Sequence, residues 1–183
     1  MKTACILYGF CEGPQVSKRF CAGLEKLGYR VIADPSQADL IIGHSGGCFL
    51  LPEHIRAQRI LQIGIVHWPG RSVLGSLLRK LAADIKNHHR EGALQFWVHK
   101  TFWNFVYFWR PLHVSRMLQG RKRGLHWRYG ALTTVVRPEL DVFCTPELQK
   151  LPFAHAPRFV RLPGQHDDCW RNPTPYLKLL QSK

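Results

Sequence analysis

The segment GHSGG at residues 43–47 places Ser45 between glycines, directly behind the apolar run ADLII. A strand that enters a tight turn and continues into a helix is the arrangement of a nucleophile elbow, in which the flanking residues must be small. Gly43 and Gly47 meet that requirement, and the following run GGCFLLPEHIR is predicted to be a helix whose N–H groups face the reacting oxygen. Ser45 is therefore a candidate nucleophile, and the alternative is that it caps this helix.

A serine nucleophile needs a base, and the base needs an acid that orients it. Asp141 follows a predicted strand in VVRPELDVFCTPE, and His166 follows another in VRLPGQHDDCW. Because the loops after parallel strands share one edge of the sheet, these two side chains can converge on Ser45. The same loops contain the further acids Glu139 and Asp167-Asp168. The alternatives are a local turn role for Asp141 and a surface position for His166.

Six short apolar runs separated by helical patterns would position these loops. Strands are predicted at 3–10, 29–33, 38–43, 59–66, 132–136 and 156–162. Helices are predicted at 13–28, 46–56, 72–89, 91–109, 112–120, 146–150 and 174–180. Apolar strands that alternate with helices are typical of a parallel sheet covered on both faces. The predicted fold class is therefore α/β, with a mostly parallel sheet of about six strands plus a helical insertion.

These segments resemble the α/β-hydrolase superfamily, specifically the small stand-alone serine hydrolases that begin at the strand before the oxyanion loop. GHSGG is similar to the nucleophile elbow, LDVFCTPE to the acid loop and LPGQHDDCW to the histidine loop. The resemblance covers most of the chain apart from the insertion. It implies a hydrolase core formed by residues 1–67 and 131–183, with a helical cap at 68–130 inserted after the strand that follows the nucleophile strand.

The resemblance also implies a role for each residue of the site. Ser45 would be the nucleophile, and His166 would accept its proton and later protonate the leaving group. Asp141 would fix the tautomer of His166. The backbone N–H groups of Gly46 and of Phe10 would form the oxyanion hole.

This sequence departs from the family at the loop after the first strand. Many relatives have His-Gly there, whereas this chain has Tyr8-Gly9, which leaves Cys11 as an alternative to Phe10 for the second oxyanion donor. His67 and Trp68 follow the fourth predicted strand and either line the pocket or pack in the core. No zinc-ligand spacing, phosphate-binding loop or dinucleotide fingerprint is present, so neither a metal nor a cofactor is expected.

The predicted cap is basic and rich in aromatic residues. The chain carries a formal net charge of +14, and between Arg71 and Gly130 the only acidic residues are Asp84 and Glu91. Eight of the 21 aromatic residues lie in the segment 96–109, which indicates a buried helix, a lid over a lipophilic pocket or a face that contacts membrane. Anionic lipid is therefore an expected partner of the cap, and a nucleic acid is not, because no nucleic-acid-binding motif accompanies the charge.

The sequence predicts a cytoplasmic protein that can contact membranes peripherally. Several of the six cysteines lie in apolar runs, where a free cysteine behaves as a small hydrophobic residue, and this favours a reducing compartment without disulfides. No uncharged stretch approaches the roughly 20 residues that a membrane-spanning helix needs.

The expected activity is cleavage of a carboxylic ester, with a lipophilic acyl group suggested by the aromatic cap, through an acyl-enzyme on Ser45. Two alternatives remain open. One is a thioesterase or peptidase on the same scaffold, and the other is a non-catalytic protein whose cap binds a membrane or another partner.

Overall fold

A computed structural model gives the architecture, and it describes residues 1–9, 12–66, 111–124, 128–141, 143–144, 153 and 155–181. Six strands form one sheet in the order β2-β1-β3-β4-β5-β6, and every neighbouring pair is parallel. The strands are β1 (Lys2–Leu7), β2 (Tyr29–Ile32), β3 (Leu40–His44), β4 (Arg59–Ile63), β5 (Thr133–Pro138) and β6 (Arg158–Leu162). The predicted fold class is confirmed, and each strand lies within or close to its predicted range.

The described parts of the chain also contain four α-helices and three short 3₁₀ segments. The helices are α1 (Lys18–Lys26), α2 (Pro111–Arg123), α3 (Asp168–Arg171) and α4 (Thr174–Gln181). The 3₁₀ segments are Pro35–Gln37, Ser45–Leu50 and Gly130–Leu132. Helix α1 ends before Gly28, whose φ of 82° is readily adopted by glycine and stops the helix as the sequence predicted.

Two helix predictions were wrong in their details. The run predicted as an α-helix is instead the six-residue 3₁₀ segment Ser45–Leu50. The next residue, Leu51, is extended and precedes Pro52. A residue before proline is pushed out of the helical region, which explains why the segment stops there. Helix α2 does not end at Gly120 but continues through the basic RKR to Arg123, and it stops at Gly124 with φ of 65°.

The central strands β1, β3, β4 and β5 are buried along most of their length, which accounts for their largely apolar sequence, whereas no residue of the edge strands β2 and β6 is fully buried. On one face, α1, α3 and α4 cover the strands with Phe20, Leu24, Trp170 and Tyr176. On the other face the strands pack against the segments that follow β3, which bring apolar side chains including Leu51. The predicted docking of the C-terminal helix is confirmed, since its Tyr176 and Leu180 side chains are buried in the core.

The predicted division into a core at 1–67 and 131–183 and a cap at 68–130 stays a prediction. Most of the predicted cap, including its two long helices at 72–89 and 91–109, lies outside the described residues, as does the predicted helix at 146–150. Helix α2 packs against the 3₁₀ segment Ser45–Leu50, where a Cβ on Gly120 would overlap the backbone oxygen of Phe49. Within the described parts of the chain, none of the helices combines the length and apolar composition needed to cross a bilayer.

Candidate active site at the carboxyl edge of the sheet

Ser45 lies on a strained turn at the end of β3. Its φ is 55°, and among the described residues it is the only non-glycine residue with a positive φ. Such a conformation costs about 1–2 kcal/mol for a residue with a side chain, so the surrounding structure must hold it in place. Ser45 is half-buried, and a positive φ at the turn between a strand and a helical segment is the backbone conformation that a nucleophile elbow requires.

Steric contacts explain why the residues around Ser45 are glycines. A Cβ on Gly43 would lie 2.9 Å from the Cα of Cys48, and a Cβ on Gly47 would overlap the backbone oxygen of Leu7. The loop after β1 passes equally close, because a Cβ on Gly9 would lie 2.6 Å from the Cβ of Ser45. The turn therefore fits only because three glycines bring β1, β3 and the 3₁₀ segment into direct backbone contact.

The structure brings Asp141 and His166 together at the same edge. Nδ1 of His166 lies 2.7 Å from Oδ2 of Asp141, and both side chains are buried. The other oxygen, Oδ1 of Asp141, accepts hydrogen bonds from the backbone N–H groups of Phe143 (2.7 Å) and Cys144 (3.1 Å). Asp141 therefore has the local turn role as well as the contact with His166, and the turn fixes the direction of its carboxylate.

The two loops that carry these residues are bonded to each other. The N–H of Glu139 donates to the carbonyl of Leu162, and the N–H of Leu140 donates to the carbonyl of Gly164, both at 2.9 Å. Because the Asp141 turn follows at once, it is positioned by the strand pair β5–β6 rather than by flexible loop contacts.

The other acids of these loops have different surroundings. The carboxylate of Glu139 is exposed and pairs with Arg161 at 3.5 Å. Asp168 accepts the backbone N–H of Gln165 at 2.7 Å. Among the acids considered from the sequence, Asp141 is thus the one whose carboxylate is bonded to the His166 ring.

A second histidine–carboxylate pair lies beside the first, and sequence reasoning missed it. His44 is fully buried, with Nδ1 2.8 Å from Oε2 of Glu12 and Nε2 2.8 Å from the backbone oxygen of His166. Burial by itself lowers the pKa of His44, whereas Cys169 and Glu12 raise it, and the balance lies well above the ordinary value for histidine. The net direction is the one expected for a proton shared between imidazole and carboxylate.

Glu12 is bonded from three sides. Oε2 accepts the backbone N–H of Gly9 at 2.8 Å, and Oε1 accepts the indole N–H of Trp170 at 3.2 Å, in addition to the contact with His44. The Gly9 N–H is consequently engaged within the loop and is not an oxyanion donor. The sequence carries no local signal for Glu12, because its side-chain partners His44 and Trp170 lie 32 and 158 residues away along the chain.

Gly64 is a further residue of the site. It follows β4 with φ of 56°, and a Cβ there would lie 3.0 Å from both Oδ2 of Asp141 and Nδ1 of His166. An isolated glycine in an apolar strand pattern signals a close approach of another group, so the run RILQIGIV did contain a clue to this position.

Within the described residues, one group has the composition of a metal site. Ligand atoms of His44, His166 and Asp167 lie within 4.8 Å of one another. Both ring nitrogens of His44 are already hydrogen bonded, and so is Nδ1 of His166, which leaves too few ligand atoms for a metal. The group is better explained as the contact between the two histidine–carboxylate pairs.

The remaining candidate residues fall into two sets. Gly46, proposed as an oxyanion donor, is buried directly behind Ser45 in the 3₁₀ segment. Phe10 and Cys11, the alternatives for the second donor, and His67 and Trp68 lie outside the described residues. Their roles remain predictions.

Comparisons with solved structures identify the architecture. The chain is similar to the enol-lactonase from Burkholderia xenovorans LB400, with a TM-score of 0.62 and 13% identity over 98% of this chain and 90% of that one. It is also similar to MGS-M2, an alpha/beta hydrolase enzyme from a Medee basin deep-sea metagenome library, with a TM-score of 0.55 and 16% identity over 98% of this chain and 87% of that one. The chain has the α/β-hydrolase fold.

A thioesterase domain from the curacin biosynthetic pathway shares this α/β-hydrolase fold, with a TM-score of 0.58 and 15% identity over 99% of this chain and 91% of that one. No protein-family model matches the chain, and no curated protein sequence does. The α/β-hydrolase fold explains why Ser45, Asp141 and His166 follow three different strands, since sites in open parallel sheets lie at the carboxyl ends of the strands. What these residues do must be argued from the site itself.

Proposed function

We propose that the protein is a serine hydrolase that cleaves carboxylic esters through an acyl-enzyme on Ser45. The observation that carries this proposal is the 2.7 Å bond between Asp141 and His166 at the sheet edge where Ser45 occupies its strained turn. Buried carboxylate, imidazole and a serine on a strained turn are the components from which acyl-transfer sites are built.

The chemistry follows from the hydrogen bonds. With Nδ1–H donated to Asp141, the proton-free nitrogen of His166 is Nε2, which accepts the proton of the Ser45 hydroxyl as its oxygen attacks the ester carbonyl. The imidazolium then protonates the leaving alcohol as the tetrahedral intermediate collapses to an acyl-Ser45 ester. Water attacks that ester with His166 again as the base, releasing the acid and regenerating Ser45.

Labelling with a fluorophosphonate probe tests whether Ser45 is an activated nucleophile. We expect a single adduct that maps to Ser45 and is lost in both Ser45→Ala and His166→Ala. Asp141→Asn should slow labelling and ester turnover by up to about 10⁴-fold, because the amide cannot hold the same tautomer of histidine. Glu139→Gln is the matched control in the same loop and should label like the wild type. A well-folded wild type that takes up no probe, with or without liposomes, would contradict the proposal.

The substrate class needs its own measurement, because the structural neighbours include an enol-lactonase and a thioesterase domain as well as an alpha/beta hydrolase enzyme. A panel of p-nitrophenyl esters from acetate to long acyl chains, with an acyl thioester and a lactone beside them, separates these classes. We expect kcat/KM for the esters to rise with chain length, in line with the aromatic cap predicted from the sequence. A steady fall from acetate upward would rule out the lipophilic acyl group, and preference for the thioester would favour a thioesterase.

A further inference from the structure

The Glu12–His44 pair lies beside the proposed active site but holds no position in the reaction described above. Nε2 of His44 faces a backbone carbonyl, which can only accept, so Nε2 carries a proton and donates it to His166. Nδ1 of His44 faces a carboxylate oxygen at 2.8 Å, so one further proton is shared between Nδ1 and Glu12. Neither nitrogen of His44 is therefore available to accept the proton of Ser45.

His44 contacts the proposed base, His166, through the backbone carbonyl of His166. His166 is held at its ring by Asp141 (2.7 Å) and at its carbonyl by His44 (2.8 Å), which are independent constraints on one residue. The ring is further enclosed by His44 and Phe143, with centroid separations of 4.8 and 5.0 Å. Since His44 is bonded covalently to Ser45, this single hydrogen bond ties the strained serine turn to the histidine loop.

The other end of the pair reaches the loop after β1. Glu12 accepts the Gly9 N–H, and Gly9 lies so near the serine that a Cβ on it would be 2.6 Å from the Cβ of Ser45. Trp170 closes the network, because its indole N–H donates to Glu12 and its ring meets that of His44 edge-on at 4.9 Å. The pair thus connects the three segments whose relative placement decides the geometry of the site.

We propose that Glu12 and His44 are positioning residues, which set the location of the His166 imidazole relative to Ser45 by clamping the His166 backbone. The inference rests on the proposed hydrolase function for its effect on turnover, but the clamp itself is a property of the folded chain. Misplacement of a catalytic group by about 1 Å is enough to lower turnover by about 10²-fold.

Two substitutions at one position test the clamp. In His44→Gln the side-chain amide reaches to where Nε2 lies and can still donate to the His166 carbonyl. In His44→Asn the shorter amide reaches only to where Nδ1 lies, so Glu12 keeps a neighbour but the clamp is lost. Both variants remove the same ionisable group from the same buried site, so their losses of stability should be similar.

We expect kcat for the p-nitrophenyl ester that the wild type cleaves best to fall about 10²-fold in His44→Asn, with KM little changed, and to remain within about tenfold of the wild type in His44→Gln. Ile60→Ala, which opens a cavity at the amino end of β4, serves as the control for lost stability without a change at the site. A common fall of kcat in both His44 variants, or a fall of similar size in Ile60→Ala, would overturn the proposal.

The second readout does not require turnover. The Nδ1 proton of His166 is buried against Asp141 and should give a low-field resonance in the proton NMR spectrum. We expect this resonance in the wild type and in His44→Gln, and its broadening or loss in His44→Asn. An unchanged resonance in His44→Asn would contradict the clamp even if the wild type proved inactive towards esters, whereas an inactive wild type with the expected spectra would contradict only the proposed function.

Discussion

Single residues in this chain couple backbone conformation to the geometry of the site, and Gly64 does so most directly. There are two separate reasons for glycine at this position. Its φ is positive, and a Cβ on it would lie 3.0 Å from the two atoms of the Asp141–His166 bond. Gly28 has only the first reason, because φ there is 82° and nothing lies within 4 Å of a Cβ built on it. Substitutions at these two glycines can therefore distinguish the effect of backbone strain from the effect of a steric clash with the Asp141–His166 bond.

Replacing each of these glycines by alanine should give similar losses of stability and different losses of activity. Both changes force a side chain into the left-handed region, at about 1–2 kcal/mol each. Only Gly64→Ala also pushes on Oδ2 of Asp141 and Nδ1 of His166, so only this variant should lose turnover, by about 10²-fold. Urea denaturation and esterase kinetics on the same preparations check both expectations. Equal turnover in the two variants would show that Gly64 is required for its backbone conformation alone.

A residue of the site could be predicted from the sequence only where a recognisable pattern, such as a preceding strand, placed it near its partners. Ser45, Asp141 and His166 could be selected as candidates because each follows a strand, and the loops that follow parallel strands lie at one edge of the sheet. Glu12 was missed because nothing local distinguishes a buried carboxylate from an exposed one. No sequence pattern marks the partner of His44, because its bond is to a carbonyl 122 residues away and arises only from the tertiary fold.

At the scale of elements, strand prediction was reliable and helix boundaries were not. The central strands are mostly apolar because both faces of the sheet are covered there, so their burial and their strand propensity favour the same assignment. The segment after Ser45 has apolar residues compatible with a helix, yet its six residues are compressed into a 3₁₀ form between the elbow and Pro52. Helix α2 was predicted to stop at Gly120, but packing overrides the weak helix propensity of that glycine.

Gly120 marks the contact between α2 and the segment that carries Ser45. A Cβ on Gly120 would overlap the backbone oxygen of Phe49, so the helix can approach this closely only with glycine there. In an exposed helix interior, glycine to alanine would stabilise by about 1 kcal/mol. The added methyl group would meet the backbone of Phe49, which cannot move aside as a flexible side chain could. We therefore expect Gly120→Ala to destabilise the protein by about 1–3 kcal/mol rather than to stabilise it.

Thermal and urea unfolding of Gly120→Ala measure this change, with Ser115→Ala as the control on the exposed side of the same helix. Ser115→Ala should leave stability within about 0.5 kcal/mol of the wild type, as surface substitutions usually do. A rise in Tm for Gly120→Ala would mean that α2 does not rest on Phe49 as described.

At the scale of the whole molecule, the Glu12–His44 pair joins three segments that are distant in sequence. These are the loop after β1, the end of β3 and the loop after β6. Burying an ion pair is costly unless its hydrogen bonds are satisfied, and breaking one by removing a single partner costs about 3–5 kcal/mol. In this pair both nitrogens of His44 and both oxygens of Glu12 are bonded. The pair is therefore expected to contribute to stability only while it keeps its shared proton.

That dependence predicts how stability changes with pH. The titratable groups that face His44 are Glu12, Cys169, His166 and Asp167. Burial raises the pKa of Cys169 to about 11, so at neutral pH its thiol is uncharged and the Glu12 carboxylate is the group that raises the pKa of His44. Because the folded-state pKa of His44 lies well above the unfolded value of about 6.5, the folded protein holds one more proton than the unfolded chain above that pH. The stabilisation is complete below about pH 6.5 and is lost as the pH rises through the folded-state pKa, at up to about 1.4 kcal/mol per pH unit.

Urea denaturation of the wild type and of the double variant Glu12→Gln/His44→Gln, between about pH 6.5 and 8, measures this slope. The double variant leaves no unpaired charge behind, and the other histidines titrate in both proteins, so the difference between the two slopes belongs to the pair. Above about pH 8.5 the cysteines released by unfolding begin to ionise and add a further loss in both proteins. We expect the free energy of unfolding to fall more steeply with pH in the wild type, and parallel slopes would show that His44 does not hold its extra proton in the folded state.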